Sequence, residues 1–233
     1  FMVDGKSLKE DMNEEKERLS RMTWEQKKEH IWEYYKIPII AVAVLIAAVI
    51  GIVYMFRLND YENVLYTVVT DGGIQGMDKK EDRLTTEFTE YLGIDGKKER
   101  VYFDNNYTLT YTNSVDQDPY ISAEKIMTQI ATGSIDALIT DKSNLRGFST
   151  TDESAFIDLT TCLTDEEFNK VSDYVIYYKL SDGTELPVAL DLTATKLVKD
   201  MGLSVKNPCF AIVRSSTHID NATAFIRYAF DLD

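Results

Sequence analysis

Between Ile37 and Phe56 the chain reads IPIIAVAVLIAAVIGIVYMF, an unbroken run without a charge. A helix of about 20 residues rises roughly 30 Å, the hydrocarbon thickness of a bilayer. No other feature restricts the chain as much. Buried core helices rarely run so long without a polar residue. A cleaved signal peptide fits poorly, because the polar stretch 1–36 comes first and the run is too long for an h-region. The sequence therefore predicts a transmembrane helix over residues 37–57, between a tail at 1–36 and a larger piece at 58–233. Pro38 falls in the first turn of that helix, where its missing N–H costs nothing. Tyr34, Tyr35 and Tyr54 flank the run at headgroup level.

Arg21, Lys27, Lys28 and Lys36 lie just before the span and only Arg57 lies close behind it. The positive-inside rule then predicts a single pass through the cell membrane, with the N-terminus cytoplasmic and residues 58–233 extracellular. No lipobox-type Cys precedes the outer piece, so the anchor is the helix. In the tail, Leu8, Met12, Leu19 and Met22 fall at heptad-like spacing, but Glu15 breaks the seam. A solvated tail is the expectation there. Thr23 to Gln26 is a capping box. It opens a short amphipathic helix with Trp24, Ile31, Trp32 and Tyr35 on one face, suited to the inner membrane surface. Trp24 and Trp32 are expected to fix the depth of the span rather than to dock a partner. The Phe1-Met2 start is that expected of a fragment or an alternative initiation.

Residues 58–233 carry 16 basic and 30 acidic side chains, so the net charge of −14 resides there. Such a balance excludes a general nucleic-acid binder, which needs a basic face. A piece of this length suits one domain. Val64–Thr70 reads as a buried strand broken by Asp71-Gly72-Gly73, and a helix follows from about Lys79 to Leu92. Arg100–Asp104 is a second strand, and Asn105–Asp118 a polar, Tyr-rich long loop or irregular edge hairpin. Asp118 caps a helix with Pro119 at its first position, ending at Gly133. Ile135–Thr140 is a third strand. Thr164–Glu167 is a capping box opening a helix to about Val171. Residues 174–190 read as a β-hairpin around Ser181–Thr184. A helix over Thr193–Met201, a strand over Cys209–Arg214 and a helix over Ile219–Phe230 complete the pass. The alternation predicts an α/β fold, a mixed sheet with helices on both faces.

Three passages carry a resemblance. ATGSIDALITDKSNL (131–145), SAFIDLTTCLTDEEFNKV (154–171) and CFAIVRSSTHIDNATAFIRYAF (209–230) are similar to segments of extracellular solute-binding proteins of the type 2 periplasmic-binding fold. In the last of these, a strand precedes a helix that packs back on the first lobe. The resemblance touches much of 64–230 but carries no catalytic fingerprint. That family clamps ligands between two lobes, and the piece at 58–233 leaves room for about one; the hairpin at 174–190 stands where the chain would cross over. The prelude WEYYKIPIIAV looks like those of membrane proteins from gut Firmicutes, which implies a Gram-positive cell surface. The resemblance implies a single-lobe module on a membrane anchor.

Catalysis is not expected. There is no G-x-S-x-G, H-E-x-x-H, P-loop or C-x-x-C. His218 begins a helix in a polar run, and Asp165, Glu166 and Glu167 complement a helix dipole. No cofactor or metal is expected: Asp104, Asn105, Asn106, Asp116 and Asp118 are rich in oxygen but lack EF-hand spacing. Cys162 and Cys209 both fall in the outer piece, where an oxidising compartment would allow a disulfide; Cys209 opens a core strand, and the expectation leans toward unpaired thiols. The sequons at Asn106 and Asn221 matter only in a host with N-glycosylation. A small-molecule site in an open α/β sheet lies beyond the carboxyl ends of its strands. That rule selects Asp71, Gly72 and Gly73; Asp141, Lys142 and Ser143; and Asp191 with Thr193. Helix N-termini there would supply N–H groups, and Tyr107, Tyr111 and Tyr178 stacking faces. One lobe cannot enclose a sugar or peptide solute. The expectation is therefore a non-enzymatic surface protein whose partners are the bilayer and another protein. The alternative is a membrane-tethered solute-binding or sensing protein with a shallow site. An open cleft of convergent polar groups around Gly72 and Ser143 would favour the alternative.

Overall fold

The computed structural model describes residues 13–58 except 15 and 19, then 61–74, 82–110 and 118–232; the side chains of 30, 31, 33–35 and 56–58 lie outside that description. Leu8, Met12, Leu19, Tyr111 and Asp116 thus fall outside the described residues, as do the side chains of Ile31, Tyr34 and Tyr35. The chain divides into two compact units, Phe1–Asp60 and Tyr61–Asp233.

The first unit contains α1 (Trp24–Leu58), 35 residues long. Its start matches the expected cap: the Gln26 side chain accepts from the Thr23 N–H at 3.1 Å. The expected helix start at Pro38 is absent, and this proline lies inside one continuous helix. An interior proline costs about 3 kcal/mol through its lost N–H and its ring. The apolar run behind it and the amphipathic turns before it each favour helix, so the ladder resumes on the far side. Lys36–Met55 is long and apolar enough to cross a membrane, and none of it is buried by protein. Trp24, Trp32 and Tyr54 are exposed.

The second unit is an α/β fold with a six-stranded mixed sheet. Its elements are β1 (Glu62–Thr70), α2 (Arg83–Leu92), β2 (Glu99–Tyr107), α3 (Pro119–Thr132) and β3 (Ala137–Asp141). They continue with α4 (Asp165–Val171), β4 (Val175–Lys179), β5 (Glu185–Asp191), α5 (Lys196–Lys199), β6 (Pro208–Ile212) and α6 (Ile219–Phe230). The strand order is β2-β1-β3-β6-β5-β4. The first three strands are parallel, and the remaining pairings are antiparallel. Successive residues of a strand face opposite sides, and here both sides are buried. Leu65, Val69, Val101, Phe103 and Ile139 pack with Phe88 of α2 and Phe225 of α6. Val68, Leu138 and Ala211 pack on the other side with Ile126 of α3 and Phe156. Strands enclosed on both faces read as continuous apolar runs, which is why Val64–Thr70 is recognisable.

The caps follow the sequence. Asp118 and Thr164 each accept from an N–H of the first helical turn, and Gly93 and Gly133 close α2 and α3 in the left-handed conformation; α2 itself is capped by Asp82 and begins at Arg83, where the sequence pattern predicts a start at about Lys79. Several further boundaries differ, the last strand ending at Ile212 rather than Arg214 among them. β2 continues through Asn105, Asn106 and Tyr107 rather than yielding to a loop at Asp104. Its pairing with β1 slips between Val68 and Thr70, bringing Thr70 opposite Tyr107. The helix expected over Thr193–Met201 shrinks to Lys196–Lys199. There Asp191 Oδ1 takes the Thr193 N–H at 2.8 Å, a local turn that competes with helix. Ile135 and Asp136 precede the third strand rather than opening it.

Candidate functional site

Because β1, β2, β3 and β5 run in one direction, their carboxyl ends share one edge of the sheet. Asp71, Asp141 and Asp191 all lie on that edge, as the strand-end rule requires. Every one is occupied by its own chain. Asp71 adopts a left-handed backbone, φ 53°. Its Oδ1 accepts from the N–H groups of Leu109 and Thr110, both at 2.8 Å. Asp141 accepts from the Ser143 N–H at 2.9 Å and from the Asn207 amide at 3.3 Å. Burial resists the Asp141 charge, but the Ser143 donors and the Asn207 amide outweigh it and hold its pKa below the usual range. The Lys142 N–H donates to the Asn207 carbonyl at 3.2 Å. The N–H groups expected to await a ligand at Ser143 and Thr193 are therefore taken.

Gly72 and Gly73 are covered. The Gly73 N–H donates to Ser204 Oγ at 3.1 Å, and the Ser204 N–H donates back to the Gly73 carbonyl at 3.0 Å. A Cβ on Gly72 would stand 2.9 Å from the Val205 backbone nitrogen. The glycines admit the chain's own 203–205 segment, which fills the position a solute would approach. Of the expected stacking faces, Tyr178 is only 9% exposed and its hydroxyl donates to the Thr150 carbonyl at 2.9 Å. The Tyr107 hydroxyl is spent on Gln129 at 3.0 Å. The Tyr178 ring is buried, and the Tyr107 ring is half-buried. One polar atom is left over: Asp71 Oδ2 is buried without a hydrogen-bond partner.

A second constellation is invisible in the sequence, because its members lie 80 and 82 positions apart. Asp136, 3% exposed, precedes β3. Its Oδ2 accepts from the Tyr66 N–H at 2.7 Å, and its Oδ1 accepts from the Ser216 hydroxyl at 2.7 Å and lies 3.1 Å from His218 Nδ1. The residue types are those of a hydrolase triad, but the order is wrong. In a triad the histidine stands between hydroxyl and carboxylate; here the carboxylate stands between the other two. The Ser216 hydroxyl points at an acceptor, and His218 Nε2 faces Glu62 at 3.8 Å. The cluster is a fastener that ties the lead-in to α6 to the β1–β3 pair.

The cysteines lie apart and are free. Burial, then the charges of Asp141 and Asp191, push the Cys209 thiol far up, so it carries no thiolate. Burial likewise raises Cys162. Among the described residues no group of three or more His, Cys, Asp or Glu is arranged to hold a metal ion.

The remaining geometry of note lies at the outer edge of β2. A cavity of about 680 Å³ is lined there by Tyr61, Tyr66, Arg100, Tyr102, Asn105 and Asn106, among others. The Tyr66 and Tyr102 rings are 5.2 Å apart, and the Arg100 guanidinium lies 3.9 Å over the Tyr61 ring. Burial, followed by its hydrogen bond to Asp104, raises the Tyr66 phenol far above its usual value. The Tyr-rich stretch around Tyr102 reads locally as a strand followed by a loop or edge hairpin, and among the described residues it lies on a strand at the end of the sheet order. No protein-family model, curated protein or solved structure matches the chain.

Proposed function

We propose that this is a non-enzymatic, single-pass membrane protein whose α/β unit serves protein interaction or assembly at the cell surface. The observation that carries the reading is the closure of the strand-end edge by the chain itself: Ser204 bonded to both polar groups of Gly73, Val205 packed against Gly72, and Asp141 and Asp191 committed to adjacent N–H groups. A small-molecule site needs convergent, uncommitted polar groups, and among the described residues the buried unpartnered atom of this edge is Asp71 Oδ2. The triad-like residues are wired as a fastener, which removes the nearest hydrolase candidate.

The anchor and its direction rest on Lys36–Met55 and on the cations before it. The likeness to one lobe of a periplasmic-binding fold gains support from the packing of α6. Phe225 meets Phe88 edge to face at 5.1 Å, and the Asn221 amide donates to the Val64 carbonyl at 2.8 Å. That is a return onto the first elements of the unit, as the resemblance implies. The β4–β5 hairpin pairs into the same sheet where a second lobe would otherwise begin.

A thermal-shift screen of the full chain in maltoside micelles tests the reading. Millimolar monosaccharides, disaccharides and free amino acids should move the midpoint by less than about 1 °C, since only a ligand that binds the folded state raises it. A larger, saturable shift that disappears in Asp71→Asn would overturn the reading in favour of tethered solute binding.

A further inference from the structure

We propose that the open edge of β2 receives an extended peptide segment of a partner protein, added as a further strand and carrying a lysine or arginine over Glu62 and Glu99. The inference rests on the interaction reading above and names the surface and the partner's chemistry.

β2 ends the strand order, so among the described residues its outer backbone groups have no strand partner. The cavity beside it is lined by Arg100, Val101, Tyr102 and Phe103 in succession. Successive side chains alternate between sheet faces, so a cavity that touches all four runs along the strand's edge, where a further strand would pair. Tyr66 and Tyr102 wall it on one side, and Asp82 and Thr85 at the start of α2 wall it on the other. Natural edges are blunted by charges, proline or a mid-strand bulge. β2 has no proline, its charged Glu99 and Arg100 stand at its start and its Asp104 is buried, and its irregularities lie at the two ends of its pairing, which leaves Val101–Asp104 regular opposite Leu65–Val68. The opposite edge, β4, is five residues long and interrupted between Ile176 and Tyr177. The two edges are thus unequal, and β2 is the usable template.

Charge selects the occupant. Glu62 and Glu99 stand in register on adjacent strands, each next in sequence to residues that line the groove, and His218 Nε2 lies 3.8 Å from Glu62. Like charges so placed are destabilising, and a cation from outside relieves them. Arg100 beside them is already laid over Tyr61. A second copy of the chain is disfavoured as occupant, because residues 58–233 hold 30 acidic against 16 basic side chains and two such units repel. A basic, extended segment fits both the backbone edge and the field.

The test pans a displayed library of random ten-residue peptides on the full chain in nanodiscs and measures synthetic winners by fluorescence anisotropy. Winners should alternate in polarity and carry Lys or Arg. Binding should weaken at least tenfold on Tyr102→Lys, on the Glu62→Gln/Glu99→Gln pair, and on N-methylation of alternate peptide residues. Tyr177→Lys on β4 should leave it unchanged. Tyr102→Thr, which keeps strand propensity, guards against a misfolded Tyr102→Lys. The proposal is overturned if no peptide is enriched or if binding ignores these changes. Equal sensitivity to Tyr177→Lys, competition by oligosaccharides, or a chain dimer abolished by Tyr102→Lys would overturn it too. Photo-crosslinking of a protein partner through β4 in intact cells, without peptide binding at β2, would overturn the groove and leave the interaction reading standing; a saturable solute shift would remove that reading itself.

Discussion

Glu167 offers the sharpest test of the energetics. It is the third residue of α4, and its carboxylate closes the capping box by accepting from the Thr164 N–H at 2.8 Å and the Thr164 hydroxyl at 2.9 Å. The same carboxylate takes the Nε–H of Arg227 on α6. Arg227 first, opposed by burial and helped by Thr164, lowers its pKa from the usual 4.5 to about 2. At about 1.4 kcal/mol per pH unit this sets a ceiling of roughly 3 kcal/mol. The Glu167 side chain is 15% exposed and that of Arg227 34%, so screening leaves about 2 kcal/mol. A carboxyl whose folded pKa lies below its unfolded one stabilises fully above pH 4.5. That stabilisation drains as the pH falls from 4.5 toward 2. Glu167→Gln removes the charge, while glutamine still serves the capping box. Urea unfolding of the full chain in maltoside micelles, followed by circular dichroism, should show a loss of about 2 kcal/mol at pH 7. The accompanying fall in midpoint temperature should be about 4–8 °C. The difference between variant and parent should shrink steadily below pH 4.5. A loss at pH 7 no larger than that of an ordinary exposed ion pair, or a difference constant from pH 7 to pH 3, would refute the reasoning.

Four further outcomes follow from the same contacts. Gly72→Ala forces the 203–205 segment aside and should cost about 1–3 kcal/mol by urea unfolding, with new proteolytic cleavage near Ser204. Asp136→Ala strands donors from Tyr66 and Ser216 in the interior and should cost about 2–4 kcal/mol by the same measurement. Iodoacetamide added to the native chain should leave Cys209 unmodified by mass spectrometry, while the same reagent in concentrated urea labels both thiols. Protease added outside intact cells should digest the α/β unit and spare the tail, and replacing Arg21, Lys27, Lys28 and Lys36 by glutamine should invert part of the population.

The sequence carried most of what depends on near neighbours. A capping box spans four residues, and both expected ones formed, fully at Thr164 and in its backbone half at Thr23. Asp118 with Pro119 and Gly133 bounded α3 as their chemistry requires. The hairpin turn at Ser181–Thr184 joined two real strands. Boundaries slipped where a distant strand decides. Asn105–Tyr107 look like a loop alone but are held by β1, and Pro38 looks like a helix start but is carried by the turns on either side. At the strand-end edge, the aspartates were found because strand ends are legible. The commitment of that edge was not, since Leu109, Ser204 and Asn207 reach Asp71, Gly73 and Asp141 from 38, 131 and 66 positions away. The order of strands, and hence the place of β2 at the end of it, is a property of the whole sheet and leaves no mark on any one segment.

The position of β6 has a consequence for how the unit comes to exist. β6 fills the gap between β3 and β5, pairing Leu138 with Ala211 and Leu190 with Phe210. Without it the sheet is two disconnected fragments, one parallel and one a lone hairpin. A lone two-stranded hairpin is marginal in water. During synthesis the chain therefore emerges through β1 to β5 with no continuous sheet to join. The final closure, from β3 to β6, bridges a long stretch of sequence, which slows folding relative to local contacts. The unit should become a folded object in a single late step, once β6 and α6 have emerged.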